Sequence, residues 1–472
     1  MNIEIKLFTE EIIKATSGIL VNGDMGISFR GISTDTRIIK PGYLFWALKG
    51  ERFDGHDFYK DAIDKGAKGL VFSHFPKGFN VENIPKTISV ILVRDTLKAL
   101  GDLAAFWRKK LNSTIVAITG SCGKTTTKEI TYNIISRFFK SAKNQANYNN
   151  LIGVPLSLLS IKENVEVGIL ELGTNQKGEI EKLSQIVKPQ ISVITSVYPS
   201  HLEGLGSIEG VLEEKISLFK NTSLNGTLIY NFDQEILRKK AQEFSQNKIS
   251  FGFDSKADIS FQNLILNENN IKGEIIFKDT SYFLEIENIG KHNLLNLLAS
   301  LCVAIALGLD LKEIIPRIGK EIPIFKRTKF FEKENIFIID DTYNANPGST
   351  KAALEFLETL SKNYKKKVVI LGDMKELGQN SEKFHKEIGE LVGEIADSVF
   401  FIGEMAKIYE KGFKSKEKNK KCQTFSSVEE FLENFSLEYF FEKAEEKTII
   451  LVKGSRALRM ERIVEKLLKE LS

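Results

Sequence analysis

Ile115-Val116-Ala117-Ile118-Thr119-Gly120-Ser121-Cys122-Gly123-Lys124-Thr125-Thr126-Thr127 decides how the rest of the chain is read. Residues 115–118 are an uninterrupted apolar run, the pattern of a short buried strand, and residues 128–139 carry apolar side chains at helical spacing. Strand, glycine loop and helix in that order make a phosphate-loop candidate. Gly120 and Gly123 let backbone N–H groups turn toward an anion. The helix N-terminus adds partial positive charge, Lys124 adds a full one, and the Thr125 hydroxyl is suited to Mg²⁺. Ser121, Cys122 and Thr126 complete the cradle. The spacing is tighter than the common G-x-x-x-x-G-K-[ST] pattern, and without the flanking strand and helix the same residues would read as a simple turn.

At 472 residues the chain exceeds what one hydrophobic core organises, and three α/β units are expected: residues 1–110, 111–323 and 324–472. Basic residues (66) nearly balance acidic ones (62), which gives no reason to invoke nucleic acid or a membrane surface. Cys122, Cys302 and Cys422 lie far apart without metal-ligand spacing, as in proteins of a reducing compartment. No signal-peptide pattern opens the sequence, and the most apolar stretch, residues 294–309, is too short to span a bilayer and carries Asn296 and Ser300. A cytoplasmic, monomeric enzyme is expected, without membrane insertion.

In the first unit, Ser33, Thr34, Asp35 and Arg37 sit beside a turn at 40–42 and are candidates to hold a nucleotide sugar; a helix cap with a surface ion pair explains them equally well. After the phosphate loop comes an asparagine-rich loop, 144–150, read either as a substrate contact or as solvated turn chemistry. Residues 167–173 form a buried-type strand with Glu171 near its C-terminal end, the end at which α/β sheets bind ligands, so Glu171 is a candidate Mg²⁺ ligand. The strand at 191–197 delivers His201, a second metal ligand, a proton-transfer group or a loop hydrogen-bonder. Lys215, beside Glu213 and Glu214, reads from local chemistry as a solvated helix lysine. Residues 258–290 alternate as an antiparallel edge ribbon and lead into the apolar helix, where Asn293 and Asn296 share a face.

The third unit alternates strands (336–340, 368–372, 398–402, 449–452) with helices, the pattern of a parallel sheet covered on both faces. Arg327 at its start is a candidate phosphate clamp. The loop after the first of these strands carries Asp340, Asp341, Tyr343, Asn344 and Asn346, candidates for ligand contact. The basic run at 414–421 reads as a solvated loop.

Taken in order, STDTR (33–37), KPGYLFWALKGERFDGHDF (40–58), TGSCGKTTTKE (119–129), ANYNNLIGVPLSLL (146–159), ELGTNQKGEI (171–180), HLEGLGSIEGVLEEK (201–215), GKHNLLN (290–296), DDTYNANPGS (340–349), LGDMKELG (371–378) and VKGSRALRM (452–460) resemble the Mur ligases, the ATP-dependent amide-forming enzymes of peptidoglycan synthesis. The last three stretches are most similar to the member that joins D-alanyl-D-alanine to a UDP-N-acetylmuramoyl-tripeptide. The resemblance implies a uridine-nucleotide domain, a central ATPase-like domain with a mostly parallel sheet, and a C-terminal Rossmann-like domain. It implies phosphorylation of the tripeptide carboxylate by ATP and attack of the dipeptide amine on the acyl phosphate. Lys124 and Thr125 would serve ATP and its Mg²⁺. Glu171 and His201 would hold a second Mg²⁺, and Lys215 matches a position that is often carbamylated into a metal ligand. Asn293, Arg327 and Asp341 match ATP contacts, and Asn147 and Asn150 match the loop along the uridine-linked substrate. Cys122 stands where Asn or Ser is usual, Lys326 replaces a glycine before Arg327, and Thr36 replaces a serine. Rival readings are a sister ligase adding one amino acid and a non-catalytic nucleotide-binding regulator.

Overall fold

The computed structural model describes residues 2–145, 148–266, 270–287, 290–323, 328–333, 335–361, 364–417, 419–436 and 447–471. Three separate sheets follow one another along the chain. The first contains β1 (Asn2–Phe8), β2 (Ile19–Asn22), β3 (Ser28–Ser33), β4 (Tyr43–Trp46), β5 (Gly69–Phe72) and β6 (Ser89–Leu92), in the order β1-β3-β4-β5-β6-β2. Its inner four strands are parallel, and β1 and β2 close the edges antiparallel.

The second sheet contains β7 (Thr114–Thr119), β8 (Ser141–Lys143), β9 (Val167–Glu171), β10 (Ile191–Ile194), β11 (Thr227–Asn231), β12 (Asn247–Gly252), β13 (Ile259–Leu266), β14 (Asn270–Phe277) and β15 (Thr280–Glu287). Its order is β15-β14-β13-β12-β11-β10-β7-β9-β8. From β8 to β13 every pairing is parallel, and β13–β15 form the expected antiparallel ribbon at one edge. Ile115, Val116, Ala117 and Ile118 of β7 are completely buried, because helices cover both faces of this strand. The chain leaves β7 toward β8 and β9, then crosses back to β10. The strand order therefore reverses beside β7, and such a reversal opens a ligand crevice at the carboxyl ends of the strands.

The third sheet contains β16 (Lys329–Lys333), β17 (Ile336–Asp341), β18 (Lys366–Gly372), β19 (Ser398–Ile402), β20 (Lys421–Phe425) and β21 (Thr448–Lys453), ordered β16-β17-β21-β18-β19-β20, parallel except for β16.

Two expectations need correction. The helix after the phosphate loop spans Lys124–Ile135, not 128–139. The three threonines lower helix propensity, but they sit in the first turn, where Thr126 and Thr127 are buried against the protein. Residues 136–139 leave the helix in a turn closed by the Phe138 N–H on the Ile135 carbonyl. The basic run at 414–421 is not a loop throughout: it ends the helix Ala406–Lys416 and begins β20. Lys414 reaches back one turn to Glu410 (2.8 Å).

Buried layers weld the three units together. Leu44, Trp46, Leu100 and Leu103 share an apolar cluster with Leu156, Leu172 and Leu183 of the second unit. Arg108, buried, donates to the Val187 carbonyl (2.8 Å) and to Gln190 (3.2 Å), and burial among neutral acceptors lowers its pKa. A second cluster joins Leu205 and Ile216 of the middle unit to Leu354, Leu371 and Leu377 of the last.

Candidate active site

The phosphate loop is held from the side of β10. Ser121 Oγ donates to the Tyr198 carbonyl and accepts the Tyr198 N–H, both at 2.9 Å, and the Cys122 N–H donates to Ser196 Oγ at 3.0 Å. Lys124 Nζ donates to the Gly120 carbonyl across the turn (2.7 Å). Gly123 caps the helix with φ 84°, and a Cβ there would lie 2.2 Å from Asn296 Oδ1. The helix Lys291–Ala306 thus presses Asn296 against the loop, and Asn293 follows through a 3.2 Å side-chain hydrogen bond.

Glu171 ends β9, as its place in an apolar run predicts, and is 2% exposed. A buried carboxylate needs partners, and each of its polar groups has one. Asn144 brackets its backbone, accepting the Glu171 N–H (2.9 Å) and donating to its carbonyl (3.0 Å). Asn149 donates to Oε1 and Thr125 to Oε2, each at 2.9 Å. Lys128, also buried, stands 3.7 Å away and donates to the Asn144 carbonyl (2.9 Å). The Thr125 hydroxyl and the Glu171 carboxylate therefore bring hard oxygen donors to one point below the loop, a donor set that suits Mg²⁺.

His201 follows β10 with a left-handed backbone (φ 52°), and its Nδ1 lies 2.5 Å from Glu376 Oε2 of the third unit. Lys215 is not a solvated lysine. Glu213 turns to Lys220 and Lys240, while Glu214 turns away to cap the helix Glu179–Val187, accepting from the Gly178 and Ile180 N–H groups at 2.6 and 2.7 Å. Lys215 is left 1% exposed, and burial, reinforced by the nearby Lys124 ammonium, pulls its amine down to about pKa 7.

The third unit closes the site. Asp341, at the end of β17, receives the buried Lys453 ammonium (2.6 Å), which also donates to the Asn344 carbonyl (2.9 Å). Asn344 Oδ1 accepts the Arg456 N–H (3.3 Å), and the Arg456 guanidinium stands over the Tyr343 ring at 5.9 Å. Asn346 caps the helix Pro347–Leu360 through the Ser349 N–H (2.8 Å) and meets Cys122 Sγ at 3.4 Å.

A cavity of about 470 Å³ lies between these groups. Residues 121–126, Asn150, Glu171, His201, Asn293, Asp341, Tyr343, Asn344 and Asn346 line it, so the sequence-derived candidates of the second and third units meet at one place. Gly120 and Lys215 do not line it, but Lys215 is close enough to feel Lys124. Arg327 and Asn147 fall outside the described residues. Ser33, Thr34, Asp35 and Arg37 do not line this cavity. Asp35 and Arg37 form a surface pair (2.7 Å), and the guanidinium holds the Asp35 carboxyl down to about 2. In the same unit Asp54, His56 and His74 cluster, but both His56 nitrogens are used, Nδ1 against Asp54 (2.5 Å) and Nε2 as acceptor of the Ser73 N–H (2.9 Å).

Sequence reasoning missed Lys128 and Glu214; it marked Asn144, Glu376 and Lys453 only as members of the asparagine-rich loop and of polar strand-end loops (372–378 and 453–456), with no role of their own. For Lys128 a signal existed: it lies one helical turn after Lys124 and so shares its face. Partners such as Lys453 and Asp341, from opposite ends of one unit, carry no local signal.

The fold and the site define an α/β enzyme of the phosphate-loop class, its anion cradle and carboxylate roofed by a second α/β unit. Three family models match in succession: "Mur ligase family, catalytic domain" over residues 28–108, "Mur ligase middle domain" over 118–304 and "Mur ligase, glutamate ligase domain" over 326–456. The UDP-N-acetylmuramoyl-tripeptide–D-alanyl-D-alanine ligase of Bacillus subtilis is 32% identical over 468 residues, 98% of this chain and 99% of that one. A crystal structure of MurF from Acinetobacter baumannii superposes with a TM-score of 0.88 at 30% identity, covering 98% and 99% of the two chains. The MurF ligase of Thermotoga maritima in complex with ADP gives a TM-score of 0.78 at 29% identity, covering 93% and 97%. The chain belongs to the Mur ligase family.

Proposed function

We infer that this protein joins D-alanyl-D-alanine to UDP-N-acetylmuramoyl-tripeptide with ATP, giving the UDP-linked pentapeptide, ADP and phosphate in peptidoglycan precursor synthesis. The observation that carries this reading is the convergence, on one cavity, of the phosphate loop, Glu171 and the Asp341–Asn346 loop, in a chain similar from end to end to ligases of that name. In the reaction the tripeptide carboxylate takes the terminal phosphoryl group of ATP. The dipeptide amine then attacks the acyl carbon, a C–N bond forms, the nitrogen releases a proton to solvent, and phosphate leaves with the C–O bond electrons.

Residues 111–323 would hold the nucleotide. Lys124 and the loop N–H groups neutralise phosphate charge where it builds up, and preorganised donors of this kind act strongly in a site shielded from water. Thr125 would hold the Mg²⁺ of ATP, and Glu171 and His201 a second Mg²⁺; the meeting of the Thr125 and Glu171 oxygens supports a site for such an ion. When bound, the ion supplies charge neutralisation at phosphoryl oxygens. Asn293 and Asp341 would contact ATP; Arg327 is proposed for the same role on its sequence position. Residues 1–110, with Ser33, Thr34, Asp35 and Arg37, are proposed to hold the uridine nucleotide, and Asn147 and Asn150 its extension. Tyr343, Asn344 and Asn346 of residues 324–472 would position the substrates, which must meet closely for the amine to attack.

Lys215 is proposed to be carbamylated. Its buried amine is partly neutral at pH 7, which is the form that adds to CO₂ with loss of one proton, and the resulting carboxylate would turn repulsion by Lys124 into attraction. The enzyme is proposed to act as a cytoplasmic monomer, where ATP and UDP-linked precursors are available. Among the described residues no helix is long and apolar enough to cross a membrane.

The deciding experiment is phosphate release from MgATP by the purified protein. Release that needs both UDP-muramoyl-tripeptide and D-alanyl-D-alanine, with a pentapeptide product by mass, is expected. Release with a shorter nucleotide and one amino acid would replace this reading by a sister ligase. Nucleotide binding without release for any pair would point to a regulator.

A further inference from the structure

We propose that Glu376 is a positioning residue for His201, and that it makes the aim of this imidazole depend on the third unit lying against the second. The proposal rests on the reading of His201 as a cation ligand given above. His201 belongs to the segment after β10, and Glu376 to the loop after β18. Nδ1 and Oε2 are 2.5 Å apart, an ion-pair contact, while the buried Nδ1 meets the geometry of a hydrogen bond with no partner among the described residues. A carboxylate at Nδ1 keeps the ring proton there. Nε2 is then left with its lone pair, in a side chain on the cavity wall that Glu171 also lines. Metal-binding histidines are commonly oriented in this way by a carboxylate on the second nitrogen.

The backbone supports an arrangement imposed from both sides. His201 (φ 52°) and Glu376 (φ 66°) both occupy the left-handed region, which residues with a Cβ adopt only where the surroundings hold them there. The Leu205 N–H donates to the His201 carbonyl (2.9 Å), and the Glu203 N–H reaches the Glu376 carbonyl (3.4 Å), so the two loops are joined through main chain as well. An ordinary surface pair would need none of this. Glu376 is half exposed, and an ion pair there contributes little to stability on its own.

The test measures Mn²⁺ binding to the full-length protein by electron paramagnetic resonance, without nucleotide, alongside the melting temperature. Glu376→Ala is expected to weaken Mn²⁺ binding about 10–100-fold with unchanged melting. Glu376→Gln, whose amide oxygen still accepts from Nδ1–H, is expected to retain most of the affinity. Wild-type affinity in Glu376→Ala, with affinity lost in His201→Ala, would overturn this proposal alone. Wild-type affinity in both variants would remove His201 from the cation site, and the proposal with it.

Discussion

Lys215 shows how much a single environment changes a residue's chemistry. Its amine falls from the ordinary lysine value to about 7 because burial penalises the ammonium and Lys124 repels it. The fold therefore disfavours the charged form. In the unfolded chain the amine keeps its proton up to about pH 10.4, so between pH 7 and that value the unfolded state binds more protons and this group's contribution to stability rises with pH. The same shift sets reactivity, because the neutral fraction of the amine rises through about pH 7. Enzyme stripped of CO₂ should regain turnover on adding bicarbonate, with recovery rising through pH 7. Lys215→Ala should lose at least about 100-fold in kcat, of the order seen when one transition-state charge partner is removed, and regain part of it with millimolar acetate or formate. Undiminished turnover in that variant would make the lysine purely structural.

At the scale of elements, the loop between β7 and the helix Lys124–Ile135 depends on how closely the helix Lys291–Ala306 presses against it. Gly123→Ala would place a methyl group on a left-handed backbone, costing about 1–2 kcal/mol, and drive it toward Asn296 Oδ1. The variant should melt several degrees lower and bind an ATP analogue weakly, by calorimetry and by titration. An alanine variant as stable and as tight-binding as the parent would mean that the loop tolerates a different path. Elements with uninterrupted apolar runs, such as β7, β9 and β11, could be read from the sequence because burial on both faces leaves no other composition for them. β12 could not: Asn247-Lys248-Ile249-Ser250-Phe251-Gly252 mixes polar and apolar residues, and its place in the sheet is fixed by β11 beside it. The helix start at Lys124 was hidden for a related reason, since tertiary burial of Thr126 and Thr127 overrides their weak helix preference.

At the scale of the molecule, the site exists only where two units meet. Asp341, Asn344 and Asn346 were recognisable as ligand-type residues from their strand-end position, but that they roof the phosphate loop depends on contacts between residues more than a hundred positions apart, such as Cys122 with Asn346. The close approach runs through Gly348, near the start of the helix Pro347–Leu360, whose Cβ, if present, would lie 2.4 Å from Cγ of the Tyr198 ring. Tyr198 is itself tied to the phosphate loop through Ser121, so this face cannot yield without disturbing the cradle. Gly348→Val should push the third unit off this contact, against the buried cluster that joins it to the second. The expected result is a larger radius of gyration by small-angle scattering, unchanged far-ultraviolet dichroism, weaker binding of an ATP analogue, and kcat lower by at least about 100-fold, because misplacing groups by an ångström at a positioned site costs that much. Closure also keeps water from an acyl phosphate, so the variant should release phosphate with tripeptide alone in greater proportion to amide formed. Parent-like scattering together with parent-like turnover would show that the two units can meet productively without this contact.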